Sequence, residues 1–272
     1  MIIMLVSTAG ITAASAQGKT SDSLATLREF ARLGQMYHHP SVRLLIHMEQ
    51  KSDLPTGTRD SLQTDMDLYY GKPDFYLQAE GLEEISNDSM IVMVNKPAKR
   101  MMVARHNRQV SSSIEKTLSM FMPDSSIQAL SKRYRSAGGD AGDGKMRLTL
   151  TSRELVHGTD RPREVVQVIY QSSSYELVEF RQIRTSLVPV DSAVFNQLEK
   201  EQAYNGKLVT SATGKGRLFF TTKELTTTCR FDKIDYALMH APVTEGDRVE
   251  KMADGTYRPA KGFEDYVLTS QL

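Results

Sequence analysis

Apolar and polar residues alternate along residues 42–49, and this pattern constrains the fold more than any other feature of the sequence. Val42, Leu44, Ile46 and Met48 occupy every second position, as expected for a strand with one dry face and one solvated face. Similar segments follow about every ten residues as far as Ala104, and turn residues separate them. Because a sheet of ten or more antiparallel strands must curl or close, the sequence predicts a mainly β (α+β) protein with a curled antiparallel sheet.

Helical periodicity interrupts this pattern in two places. Apolar residues recur at helical spacing within Ser21–Met36, which predicts an amphipathic first helix. Ser112 and Glu115 have the spacing of a capping box, which predicts the start of a mid-chain helix, and a second short helix is expected over residues 125–135. Residues 137–144 are rich in Gly and Asp and are interpreted as a loop. Strands resume after them, so the sheet is expected to form an incomplete barrel around the N-terminal helix and a mid-chain helical lid.

The first sixteen residues have the character of an export signal. Residues 1–16 carry no charged side chain and end in Ala14-Ser15-Ala16, a small-residue sequence that signal peptidase cleaves. Residues 17–272 contain no run of eighteen apolar residues, so a single domain without a transmembrane segment is expected, soluble in the periplasm after cleavage. No Lys or Arg precedes the apolar run, which leaves a disordered or helical N-terminus as the alternative and leaves open whether Met1 is the true start.

Composition and motif spacing exclude several classes of function. The 34 basic and 33 acidic residues leave a net charge of +1, which argues against binding of nucleic acid through the overall charge of the protein. Cys229 is the single cysteine, so neither a disulfide framework nor a four-cysteine zinc site can form, and we expect it to pack as a small apolar residue. Ser113 and Lys116 match an S-x-x-K motif without its usual companions, and the capping box explains the same residues, so a hydrolase is a distant alternative. We expect no catalytic residues, no metal and no cofactor.

A stretch of about forty residues resembles a known family. Lys72–Tyr76 form a basic-Pro-x-aromatic turn, Asn87-Asp88 form a small polar hairpin tip, and the apolar runs Met90–Val94 and Met101–Val103 follow. This arrangement resembles the LolA/LolB-like periplasmic lipoprotein carriers, which sort lipoproteins to the outer membrane. The resemblance implies a half-barrel that binds and transports the acyl chain of a lipid or lipoprotein, with envelope proteins as further partners. Residues 187–215 form a segment that a typical carrier lacks.

Under this resemblance, the inward-facing strand residues are expected to line an apolar cavity that binds the acyl chain. The candidate ligand-binding residues are Val42, Leu44, Ile46, Met48, Met66, Leu68, Phe75, Leu77, Ile91, Met93, Met101, Val103, Leu148 and Leu150. The candidate lid residues are Leu118, Met120, Phe121 and Met122. The frequent methionines suit a surface that repacks around different chains. The alternative is a structural or protein-interaction module of the envelope, in which the same side chains fill a closed core and no lipid binds.

Overall fold

The computed structural model describes residues 23–33, 39–54, 60–106, 124–213 and 216–271. The signal-peptide prediction, the predicted Ser112 helix, the four candidate lid residues and the Ser113–Lys116 pair therefore lie outside the described residues.

Three α-helices occur in the described part of the chain: α1 (Ser23–Leu33), α2 (Asp124–Arg133) and α3 (Ser192–Leu198). In α1 the buried Leu27 and Phe30 lie one turn apart, and Leu33 continues the same side of the helix. In α3 the Asp191 side chain accepts a hydrogen bond from the Val194 backbone N–H and so caps the first turn.

The strands follow the alternation read from the sequence, and most belong to one sheet. They are β1 (Ser41–Ser52), β2 (Ser61–Gly71), β3 (Asp74–Ala79), β4 (Leu82–Ser86), β5 (Met90–Asn95), β6 (Arg100–Arg105), β7 (Tyr134–Gly142), β8 (Lys145–Ser152), β9 (Glu164–Gln171), β10 (Leu177–Val190), β11 (Leu208–Thr213), β12 (Gly216–Asp235), β13 (Val249–Lys251), β14 (Tyr257–Pro259) and β15 (Val267–Gln271).

Thirteen strands pair in the order β15-β6-β5-β4-β3-β2-β1-β12-β10-β9-β8-β7, with β11 beside the first half of β12. β13 and β14 form a separate hairpin. All pairs in the large sheet are antiparallel except β15 with β6, which are parallel. β15 and β7 are the two ends of this order and do not pair with each other, so the curled sheet is not closed into a barrel.

The register divides the sheet into two faces. We call the face that carries Leu44 the helix face, because α1 packs there: Leu27, Phe30 and Leu33 share one buried cluster with Leu44. The other face carries Tyr69 and Tyr76 and is covered by residues 238–268, the C-terminal tail. We call it the tail face. Each face therefore buries its own apolar core. The core of the helix face lies on β1, β2, β7–β10 and β12, the core of the tail face lies on β2–β6, and only β2 contributes to both.

Several predictions can now be compared with the structure. The mainly β class, the curled antiparallel sheet, the first helix and the short helix after Pro123 are confirmed. The incomplete barrel closed by a lid stays a prediction, because the lid residues lie outside the described ranges. The interpretation of residues 137–144 as a loop is wrong: Tyr134–Gly142 form β7, whose backbone groups pair with β8. An edge strand tolerates glycine there, since only one side of β7 must pair.

Candidate functional site

One row of side chains crosses six neighbouring strands of the helix face. Cross-strand partners lie on the same face of a sheet, so the register places these residues side by side. The row consists of Leu44, Leu68, Leu77, Glu84, Met93 and Met102. A parallel row beside it consists of Val42, Tyr70, Phe75, Ser86, Ile91 and Ala104. The two rows form a largely apolar surface, which we call the apolar face.

Burial falls along the first row from β1 toward β5. Leu44 is 2% exposed and belongs to the core that α1 covers. Leu68 and Leu77 are half-buried, whereas Met93 is 44% exposed. Leu82, on the same face of β4, is 51% exposed. The first row is thus continuous with the core at one end and open to solvent at Met93, whereas the second-row residues of β3, β4 and β5 are only 7–8% exposed.

The structure brings most of the candidate ligand-binding residues onto one face. Twelve of them lie on the helix face, as the register shows: Val42, Leu44, Ile46, Met48, Met66, Leu68, Phe75, Leu77, Ile91, Met93, Leu148 and Leu150. Their role in ligand binding stays a prediction.

Met101 and Val103 lie elsewhere, contrary to the expectation for the cavity. Met101 pairs with Val94 and Val103 with Val92, and all four are buried in the core of the tail face. Alternation requires Met101 and Val103 to share a face opposite Met102, but three consecutive apolar residues do not reveal which of the two faces that is, because this depends on the pairing with the neighbouring strand. Met102 is the residue of β6 that the helix face carries.

Glu84 is the one acidic residue of the first row and stands between Leu77 and Met93. Its Oε1 atom is buried and has no hydrogen-bond partner among the described residues. Burial raises the pKa of this carboxyl above its ordinary value, because the charged form is desolvated. The sequence analysis did not predict a role for Glu84. The sequence Leu82-Glu-Glu-Ile-Ser86 does contain an indication, because in a strand Glu84 shares a face with the apolar Leu82.

The neighbouring Glu83 points to the tail face and is fully paired. Arg248 donates from Nε to Oε2 at 2.8 Å and from Nη2 to Oε1 at 3.1 Å. Lys96 Nζ lies 2.9 Å from Oε1, and the Glu83 side chain is 1% exposed. Burial on its own raises the pKa of Glu83, but the hydrogen bonds from Arg248 and Lys96 outweigh burial and hold the pKa below its ordinary value. Burial and the adjacent Glu83 carboxylate raise the pKa of Tyr76 to about 12.

This ion-pair cluster holds the tail against the sheet. Arg248 precedes β13, and its guanidinium also stacks over the Phe263 ring at 4.8 Å. The charges are satisfied by one another and the cluster is closed to solvent on the Glu83 side. We therefore assign it a structural role.

Two open pockets formed by described residues lie outside the apolar rows. One, of about 270 Å³, is lined mainly by charged and hydroxyl side chains, including Lys51 and Arg181. The other, of about 330 Å³, contains Asp67, which accepts two hydrogen bonds from Arg43, and Asp65, which lies 2.7 Å from His47 Nδ1. No three His, Cys, Asp or Glu side chains of the described ranges are grouped in a way that would hold a metal ion.

Cys229 lies on the helix face of β12 and packs against the core that α1 covers, as expected for a small apolar residue. Burial raises the pKa of its thiol, so the reactive thiolate is disfavoured. None of the helices within the described residues is long and apolar enough to cross a membrane.

Comparisons with known proteins identify similar structures but no similar sequence. No protein-family model and no curated protein matches the chain. An uncharacterized conserved protein from Thermus thermophilus is similar in structure with a TM-score of 0.34 and 8% identity, over 90% of this chain and 98% of that one. A LolA superfamily protein from Nitrosomonas europaea has a TM-score of 0.26 and 9% identity, over 81% and 94% of the two chains.

A domain named for outer membrane lipoprotein sorting, from Vibrio parahaemolyticus, has a TM-score of 0.25 and 11% identity, over 81% of this chain and 94% of that one. The names of these last two structures belong to the family that residues 62–103 resemble in sequence. All three TM-scores are below 0.5, so the superpositions are loose, and the function of this chain must follow from its own surfaces.

Proposed function

We propose that this protein is an exported, non-enzymatic carrier of the bacterial periplasm that binds the acyl chain of a lipid or lipoprotein on its apolar face. The observation that carries the proposal is the row from Leu44 to Met102. Its side chains are buried in the covered core at Leu44 and exposed to solvent at Met93. This row is one side chain wide and crosses six strands, a shape that suits an extended hydrocarbon chain better than the core of a globular partner.

The energetics suit reversible carriage. Each buried methylene contributes about 0.8 kcal/mol, so a sixteen-carbon chain offers roughly 12 kcal/mol at most. Ordering the chain and losing its translational freedom reduce this value, which leaves an affinity that is useful and still allows release. Met93 and Met102 add a surface that adapts to chains of different shape.

Displacement of a fluorescent fatty acid from the purified full chain tests the proposal. We expect saturable binding that Met93→Glu weakens at least about tenfold, because a charge at the open end of the row opposes burial of hydrocarbon. Met239→Glu is the matched control: Met239 is 67% exposed and lies in the C-terminal tail, so the same change there leaves binding unaltered.

Native mass spectrometry of protein purified from an envelope fraction provides an independent measurement, with co-purifying lipid as the expected result. Absence of binding in both measurements would contradict the proposal and favour the closed-core interaction module. Equal effects of the two methionine substitutions would show that the lipid binds somewhere other than the apolar face.

A further inference from the structure

Glu84 stands where the strand pattern calls for an apolar residue. Its cross-strand neighbours on the helix face are Leu77 and Met93, and on its own strand Leu82 and Ser86 share that face. Glu84 thus interrupts an otherwise apolar row close to its solvent-exposed end, since its neighbour Met93 is 44% exposed.

Within the described ranges, one oxygen of this carboxyl lacks the hydrogen-bond donor that such a position requires. Its Oε1 atom is buried without a hydrogen bond to any described residue. A buried acceptor left unpaired destabilises the folded protein, and more so when the group is charged. The adjacent Glu83 shows how this chain satisfies a buried carboxylate when the need is structural: Arg248 and Lys96 both bind it. No equivalent pair is provided for Glu84 by the residues that the structure describes.

A ligand that lies along the row would bring the missing donor. We propose that Glu84 binds the cationic amine head of an acyl-chain amphiphile, whose hydrocarbon chain lies on the apolar face beside Leu77 and Met93. This inference rests on the proposed function and specifies the class of ligand. An ammonium group supplies both hydrogen-bond donors and the opposite charge, so it stabilises a desolvated carboxylate more than an alcohol does. A carboxylate head would repel the ionised form of Glu84.

Three amphiphiles of equal chain length test this inference: dodecylamine, dodecanol and dodecanoate, each used below its micelle concentration to displace an uncharged fluorescent fatty alcohol at pH 7. We expect the amine to bind about tenfold to a hundredfold more tightly than the alcohol, as a hydrogen bond to a charged group would give. Dodecanoate is expected to bind more weakly than the alcohol.

Glu84→Gln removes the charge at nearly constant volume and is expected to reduce the affinity ratio of dodecylamine to dodecanol to about one. Asp88→Asn is the control, because Asp88 is an exposed carboxylate at the tip of the same β4–β5 hairpin and its loss changes the net charge equally. The amine should keep its advantage in that variant.

The outcomes separate this inference from the proposed function. If wild-type protein binds dodecanol and dodecylamine equally, or if Glu84→Gln keeps the preference, the role of Glu84 is refuted while acyl-chain binding stands. If none of the three amphiphiles displaces the probe, the proposed function itself fails. The comparison of amine with alcohol on the wild-type protein needs no variant, so it decides the question even where a substitution impairs folding.

Discussion

Glu83→Gln is the substitution that tests most directly how the tail is held against the sheet. The change keeps the volume of the side chain and removes its charge, which leaves the Arg248 guanidinium without its counter-charge at a site where its side chain is 14% exposed. Removing one partner of a buried ion pair costs about 3–5 kcal/mol, because the other charge stays buried and unpaired. The Lys96 side chain is 36% exposed and can turn to water, so its share is discounted and we expect about 3 kcal/mol.

A loss of about 3 kcal/mol is a large fraction of the roughly 5–15 kcal/mol that typically stabilises a folded domain. Urea unfolding followed by circular dichroism measures it as a lower midpoint with little change in slope. Glu250→Gln is the matched control: Glu250 pairs with Arg258 at 2.6 Å, but the two side chains are 44% and 60% exposed. Its loss should cost less than about 1 kcal/mol, as exposed ion pairs do.

The pH dependence has a definite sign. Although burial raises the pKa of Glu83, its hydrogen bonds to Arg248 and Lys96 lower the pKa further, to below the ordinary value of 4.5. A group whose pKa is lower in the folded state stabilises the protein fully above its unfolded pKa and loses that effect as the pH falls through the folded value. The stability difference between wild type and Glu83→Gln should therefore be constant above pH 4.5 and narrow below it.

Two results would refute this reasoning. One is a cost for Glu83→Gln no greater than that for Glu250→Gln, which would mean that the buried cluster contributes no more than an exposed pair. The other is a stability difference that stays constant in acid, which would mean that the carboxylate charge is not the stabilising element.

Two further predictions concern the core of the helix face. Leu44→Ala should lower the free energy of unfolding by about 2–5 kcal/mol, because Leu44 is 2% exposed. Leu82→Ala is the control and should cost less than about 1 kcal/mol, because Leu82 is 51% exposed on the same face. Equal losses in urea unfolding would argue against a core at Leu44. Cys229 should react with iodoacetamide at pH 8 at least about tenfold more slowly in the folded protein than in urea, because burial raises the pKa of its thiol and shields the sulfur from the reagent. Mass spectrometry of the alkylated protein measures both rates. Similar rates would contradict the packing described.

Much of the local structure could be predicted from the sequence, because alternation is a property of a strand by itself. Val42, Leu44 and Ile46 share a face in any strand that contains them, whatever lies beside it. The same argument places Phe75 with Leu77 and Ile91 with Met93. The order of elements followed from turn residues and helical periodicity, both of which act within a few residues of one another.

Relations between strands were less predictable, because register and pairing depend on residues far apart in the chain. The face of Met101 and Val103 is decided by their pairing with β5, and the run of apolar residues at 101–103 carries no information on it. The parallel pairing of β15 with β6 joins segments more than 150 residues apart, and no feature of either segment predicts that they pair.

Glu83 and Glu84 separate the two kinds of information most clearly. Adjacent residues of any β-strand point to opposite faces, so this much follows from their positions in the chain. Which of the two carboxylates is paired depends on the folded chain, because Arg248, the partner of Glu83, lies 165 residues away and reaches it through the tail. The same arrangement leaves Glu84 in an apolar row without a partner among the described residues, and that difference of environment is what turns one of two identical side chains into a candidate ligand-binding group.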